Sequence, residues 1–383
     1  MSMTRTLGAL TALSGLLLGC SHSAPEPTAS PVTSSVTPAS TSMPLAPVPS
    51  PTLPLCGDVT GIPLRDKLAQ LLMVGVTDAA DAKAVVTNYH VGGIFIGSWT
   101  DKSIFGPALA DITGAASALP LGVSVDEEGG RVSRLSSLIG AQASPRVLAQ
   151  TKSSDEVYQI ALQRGQALRG LGITVDFAPV VDVTEESDDE VIGDRSFGSD
   201  PAKVTEFAGA YARGLRDGGV TPVLKHFPGH GHGSGDSHTG GVTTPPLDAL
   251  KANDLVPYQT LTTEPGVAVM VGHLQVPGLT GSDPASLSGA AYGLLRSGGY
   301  GGPGFNGVVF TDDLSSMAAI NARYGVAEAV LRALQAGADV ALWVSTGEVP
   351  AVLDHLEKSV NAGQLAEPRV DDSLRRLAAA KCG

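Results

Sequence analysis

Residues 200–226 read DPAKVTEFAGAYARGLRDGGVTPVLKH. This run is a helix followed by a strand, with the boundaries written into it. Asp200 suits a helix N-cap, and Pro201 suits the first helical position, where a missing N–H costs nothing. Val204, Phe207, Ala208, Tyr211 and Leu215 then recur at helical period and make one apolar stripe. Gly218-Gly219 stops the helix, and residues 221–226 read as a strand. Another apolar run, residues 173–178 (ITVDFA), stands upstream.

The same alternation extends in both directions. Strands are expected at 70–76, 92–97, 121–126, 173–178, 221–226, 267–273, 307–312 and 338–344. Their nearly continuous apolar character fits parallel strands covered on both faces. Helices are expected at 153–171, opened by a Ser153/Glu156 capping box, and at 326–336, stopped by Gly337. Eight strands separated by helical patterns predict an α/β fold, a single (β/α)8 TIM-type barrel. An open doubly wound sheet is the competitor, but no Gly-rich dinucleotide fingerprint follows the first strand.

Several strands finish on polar residues: Asp126, Asp176, Lys225-His226, His273 and Asp312. Barrel enzymes carry their chemistry at the carboxyl ends of the strands. After the fifth strand comes KHFPGHGHGSGDSH, residues 225–238, which holds His226, His230, His232, Asp236 and His238. Glycines 229, 231, 233 and 235 predict a pliable loop. Histidine titrates nearest neutral pH, so an active-site loop is the reading.

Composition narrows the field. The chain has 383 residues and a formal charge of −13, which argues against a nucleic-acid partner. Arg5 and the apolar run Leu7–Gly19 resemble a signal peptide, too short for the ~20 residues that cross a bilayer. The run ends Leu17-Leu18-Gly19-Cys20, which resembles a bacterial lipoprotein signal with Cys20 lipidated. An ordinary secretory signal is the plainer alternative. Residues 21–55 are rich in Ser, Thr and Pro and predict a disordered tether. The expected organisation is therefore signal 1–20, tether 21–55 and barrel 56–383. With Cys20 lipidated, Cys56 and Cys382 remain to form a disulfide in an oxidising compartment.

Six motifs in order carry a resemblance: VDEEGGRV (125–132), IGDRSFG (192–198), KHFPGHG (225–231), DSH (236–238), PASLS (284–288) and FTDDL (310–314). Over residues 60–380 the chain resembles glycoside hydrolase family 3, and within it the single-domain β-N-acetylglucosaminidases. The resemblance implies that Asp312 is the nucleophile and His238 the general acid/base, with Asp236 as its partner. It implies that Asp126, Arg134, Arg195, Lys225 and His226 hold a terminal N-acetylglucosamine. No cofactor or metal is implied. Two departures stand out: Ser315 and Ser316 both precede Met317 where the family usually has one residue, and residues 298–304 are Gly-rich.

Retaining hydrolysis needs a carboxylate to attack the anomeric carbon and an acid to protonate the leaving oxygen. Lys225 and Arg195 are expected to keep Asp312 ionised, and Asp236 to orient His238. In an extended strand Asp313 faces away from Asp312, while Glu127 and Glu128 are expected to hold arginines. His90 and Trp99 are read as ordinary loop and packing residues. The expected activity is an exo-β-N-acetylglucosaminidase acting on cell-wall saccharides, exported, held to the membrane by lipid and monomeric. A histidine acid does not repel anions, so phosphorolysis is a side possibility. The rivals from other classes are a non-catalytic sugar-binding lipoprotein and a zinc hydrolase built on the loop histidines.

Overall fold

Eight short parallel strands close around one axis in this computed structural model, which describes Cys56 and residues 59–382. The expected leader, the lipidation at Cys20 and the tether lie outside the described residues. The strands are β1 (Leu72–Val76), β2 (Gly93–Ile96), β3 (Gly122–Val125), β4 (Val175–Asp176), β5 (Thr221–Phe227), β6 (Ala268–Val271), β7 (Val309–Thr311) and β8 (Ala341–Trp343). Their order is β7-β6-β5-β4-β3-β2-β1-β8. A bridge from Phe310 to Val340 joins the two edges, with the Thr311 N–H donating to the Val340 carbonyl at 3.0 Å. This is the (β/α)8 barrel that the alternating pattern predicts.

Every strand but β5 is shorter than its apolar run, and β4 is cut to two residues. Pro179 lacks an N–H to continue the ladder. Pairing with β5 resumes only as a single bridge between Val180 and Lys225. The rings of Phe95, Phe177 and Phe310 come from strands that are not neighbours, yet meet at 5.9 and 5.5 Å. They therefore pack across the axis and fill the interior, as a barrel core does.

Helix ends follow their caps. Ser153 and Glu156 form a reciprocal capping box before Ser154–Gly170. The Asp200 side chain accepts from the Ala202 N–H ahead of Pro201–Asp217. These two helices pack closely: a Cβ on Gly214 would come 2.5 Å from the Tyr158 carbonyl oxygen. Cys56 and Cys382 form a disulfide with Cα atoms 5.7 Å apart, joining positions 326 residues apart. Among the described residues, no helix is long and apolar enough to cross a membrane.

Candidate active site

The carboxyl ends of the strands open onto a cavity of about 160 Å³. Asp126 directly follows β3 and Asp312 directly follows β7, while Lys225 and His226 lie near the end of β5. All of these line the cavity, together with Arg134, Arg195 and His238. Asp236 stands behind His238: its Oδ1 lies 2.7 Å from His238 Nδ1 and accepts the His238 N–H at 2.9 Å.

One buried ionic network forms a wall of the cavity. Lys225 Nζ lies 2.8 Å from Asp126 and 2.6 Å from Glu128. Arg195 donates two hydrogen bonds to Glu128, from Nε at 2.8 Å and Nη2 at 2.9 Å. Burial alone would raise the Glu128 carboxyl, but the Arg195 and Lys225 charges outweigh it and hold it well below the carboxylate range. Burial likewise opposes the Lys225 charge, yet Asp126 and Glu128 raise that ammonium. The network leaves fixed cations and carboxylates that can hydrogen-bond the hydroxyls of a sugar. Glu127 accepts from the Arg134 and Leu135 N–H groups at 2.7 and 2.8 Å, which positions Arg134.

Asp312 is the carboxylate best placed to react. Burial raises its pKa, but the charges of His273 and His226, the Asp313 N–H at 2.9 Å and the Lys225 charge lower it to about 2. Arg195, expected to help, is engaged by Glu128. Burial lowers the His273 pKa, while the Asp312 carboxylate favours the charged ring. Its Nε2 lies 2.7 Å from the Asp313 carbonyl oxygen and its Nδ1 lies 2.7 Å from Ser286 Oγ. Nε2–H donates to that carbonyl, and Nδ1 meets the Ser286 hydroxyl.

Asp313 turns away and caps the bend that follows. Its Oδ1 accepts from the Ser315 N–H and hydroxyl at 2.8 Å each, and its Oδ2 accepts from the Ser316 N–H at 3.0 Å and from the Ser316 hydroxyl. The extra serine is thereby absorbed in a bonded turn. Met317, just beyond, lines the cavity.

The loop after β5 is fastened at its base. Gly231 passes so close to Val183 that a Cβ there would sit 1.9 Å from the Val183 carbonyl oxygen. At Gly229 (φ 123°) a Cβ would meet Asp254 at 2.5 Å. The pliability expected of all four glycines fits only Gly235, which has open space around it. His232 pins the loop further, with Nδ1 2.8 Å from Asp254 and Nε2 2.9 Å from Glu185. At the tip His238 is 62% exposed, and its Nε2 makes no hydrogen bond among the described residues.

Two of the polar strand ends do not reach the cavity lining. Asp176 is fully buried and accepts the Glu127 N–H at 2.9 Å. Burial pushes its carboxyl well up, and the neighbouring Glu127 and Asp126 add to the rise. His273 stands behind Asp312. The sequence reading also missed Asp182, whose Oδ2 lies 2.7 Å from His226 Nδ1 and whose Oδ1 accepts the His226 and His230 N–H groups at 3.2 and 2.8 Å. Its signal was present: a lone acid inside the apolar run Val180–Val183 needs a buried partner.

The loop histidines do not assemble as metal ligands. His226, His232 and His238 each take a different carboxylate partner. Among the described residues no three His, Cys, Asp or Glu side chains converge as ligands would. A depressed carboxylate and an imidazole with an acid partner face one small cavity, groups of the kind that glycoside hydrolysis can use.

Comparison with known proteins points the same way. Residues 63–380 match the family described as Glycosyl hydrolase family 3 N terminal domain. Beta-hexosaminidase LpqI of Mycobacterium tuberculosis is 64% identical, over all of this chain and 98% of its own length. A solved glycosyl hydrolase of the GH3 family from Mycobacterium smegmatis superposes with a TM-score of 0.84 at 73% identity, covering 85% of this chain and 99% of that one. A GH3 beta-N-acetylglucosaminidase from Paenibacillus sp. gives 0.77 at 35% identity, covering 84% of this chain and 62% of that one.

Proposed function

The chain belongs to glycosyl hydrolase family 3 and is a glycoside hydrolase; within that frame we propose that it is a retaining exo-β-N-acetylglucosaminidase. The observation that carries this reading is that Asp312 and His238 line the same cavity. The beta-hexosaminidase and beta-N-acetylglucosaminidase named among the relatives support β-hexosaminidase activity for this chain. A cavity of about 160 Å³ suits one terminal sugar better than the middle of a chain.

In the proposed reaction the Asp312 carboxylate attacks the anomeric carbon. The bond to the leaving oxygen breaks, and His238 gives that oxygen a proton. Asp236, accepting from His238 Nδ1, steadies the imidazolium. Neutral His238 then takes a proton from water as the water oxygen attacks the anomeric carbon. This frees Asp312 and releases N-acetylglucosamine with its β configuration kept. Asp126, Arg134, Arg195, Lys225 and His226 hold the sugar.

The proposed substrate is a peptidoglycan fragment with a terminal N-acetylglucosamine. An exported barrel, lipidated at Cys20 and tethered by residues 21–55, would meet such fragments outside the cytoplasm. Support for the setting is the leader-like sequence and the Cys56–Cys382 disulfide. The test is turnover of 4-nitrophenyl N-acetyl-β-D-glucosaminide with NMR detection of the first-formed sugar. The β anomer is expected; α as the first product, or no turnover, contradicts the reading.

A further inference from the structure

We infer that the end of the barrel opposite the catalytic mouth carries a second binding site, for a small amphiphile with an anionic head and an acyl-type tail. The first residues of the strands surround a cavity of about 930 Å³ there, against about 160 Å³ at the catalytic end. Small-molecule sites run to roughly 300–1,000 Å³ and have mostly apolar walls. Leu72, Met73, Leu121, Val175, Val220 and Phe310 supply such walls.

The charged groups of this cavity have one sign. Arg169, Arg216, Arg375, Arg376 and Lys381 line it and no Asp or Glu does, in a chain whose net charge is −13. Three of the five are already paired with carboxylates outside the lining. Arg216 meets Asp217 at 2.9 Å and Glu264 at 3.4 Å, Arg375 meets Asp372 at 2.5 Å, and Arg376 meets Asp339 at 3.2 Å. Arg169 and Lys381 have no carboxylate partner among the described residues.

Lys381 is the more telling of the two. Its Nζ donates to the Gly92 carbonyl oxygen at 2.7 Å, and burial pushes its ammonium down to about 8. A confined cation without a counter-ion gains from an anion brought to it. An inorganic anion would answer the charge and leave the apolar walls wet. A head with a tail answers both.

Titration of the full chain with dodecanoate, followed by calorimetry, tests the site. Saturable binding is expected, with a negative heat-capacity change from apolar burial. Dodecanol and acetate each lack half of the ligand and should bind at least tenfold more weakly. Lys381→Met and, separately, Arg169→Ser should each weaken dodecanoate binding at least tenfold and leave glycoside turnover unchanged. Arg169 lies on an exposed helix surface, so its variant keeps the test alive if Lys381→Met does not fold. Cosedimentation with phosphatidylglycerol vesicles, against phosphatidylcholine vesicles, separates a membrane lipid from a free acyl acid as the source. Binding in either arm that every folded variant weakens supports the site. Binding in neither arm, or binding that any folded variant retains, overturns it.

Discussion

The carbonyl oxygen of His238 accepts a hydrogen bond from the Ala318 N–H at 3.3 Å. The neighbouring pair, Ser237 carbonyl and Ala319 N–H, meets at 3.1 Å. These two contacts tie the tip of the loop that carries the proposed acid to the segment that follows Asp312. The proposed acid and nucleophile are thus coupled through backbone, while the His238 ring stays exposed and, among the described residues, is held by Asp236.

Removing one tie should slow catalysis without unfolding the protein. Ala318 opens the short helix Ala318–Asn321, where proline is tolerated. Met317 already has the extended backbone (φ −89°, ψ 123°) that a following proline requires. Ala318→Pro therefore deletes the N–H and little else. One such bond is worth roughly 0.5–1.5 kcal/mol, so a fall in kcat of about two- to tenfold is expected. Steady-state kinetics beside a thermal melt checks this; unchanged kcat would show that the tie does not position His238.

For His238→Ala, the expected loss depends on the leaving group. An acidic leaving group such as 4-nitrophenol departs with little protonation, whereas a sugar hydroxyl needs a full proton. The loss should be about 10²–10⁴-fold for a sugar aglycone and several-fold smaller for a nitrophenyl one. Comparing kcat/KM for the two substrates measures it. Equal losses would remove His238 from the acid role.

The anchor of the loop should depend on pH. Burial opposes charge on His232, but its bonds to Asp254 and Glu185 outweigh that and raise its pKa. Burial also raises Asp254, more than His232 lowers it. Both shifts favour keeping a proton on the pair, and the exposed Glu185 carboxylate favours placing it on the imidazole. A group raised on folding contributes fully below its unfolded value, about 6.5 for histidine, and that contribution is lost as pH rises through the folded value. Amide exchange, corrected for its intrinsic pH dependence, should therefore show residues 229–238 losing protection as pH rises past neutrality. In His232→Asn that pH dependence should vanish. A wild-type loop equally protected from pH 6 to 9 would contradict the anchor.

Much of the barrel was legible because its elements carry local marks. Ser153 with Glu156, and Asp200 with Pro201, fix helix starts without reference to the rest of the chain. Strand lengths were not legible, since a ladder bond needs a partner, and β4 stops at Asp176 inside the apolar run 173–178. At the site, Asp126, Lys225 and Asp312 could be found because each lies at or near a strand end. That Glu128 holds an arginine was expected, but not that the arginine is Arg195, 67 positions away, and is thereby engaged away from Asp312. Asp176 shows the converse: a strand-end acid that looked like part of the mouth serves the Glu127 backbone. Spacing alone also failed to show that most of the loop glycines permit close packing.

The most direct test of the central claim is covalent trapping. The chain is incubated with a 5-fluoro N-acetylglucosaminyl fluoride, which slows release of a glycosyl-enzyme, and is then digested and sequenced by mass spectrometry. The sugar should be found on Asp312, and Asp312→Asn should neither label nor retain more than ~10⁻³ of turnover. A label on Asp313, Glu128 or any other residue, or an Asp312→Asn variant that still turns over normally, would contradict it.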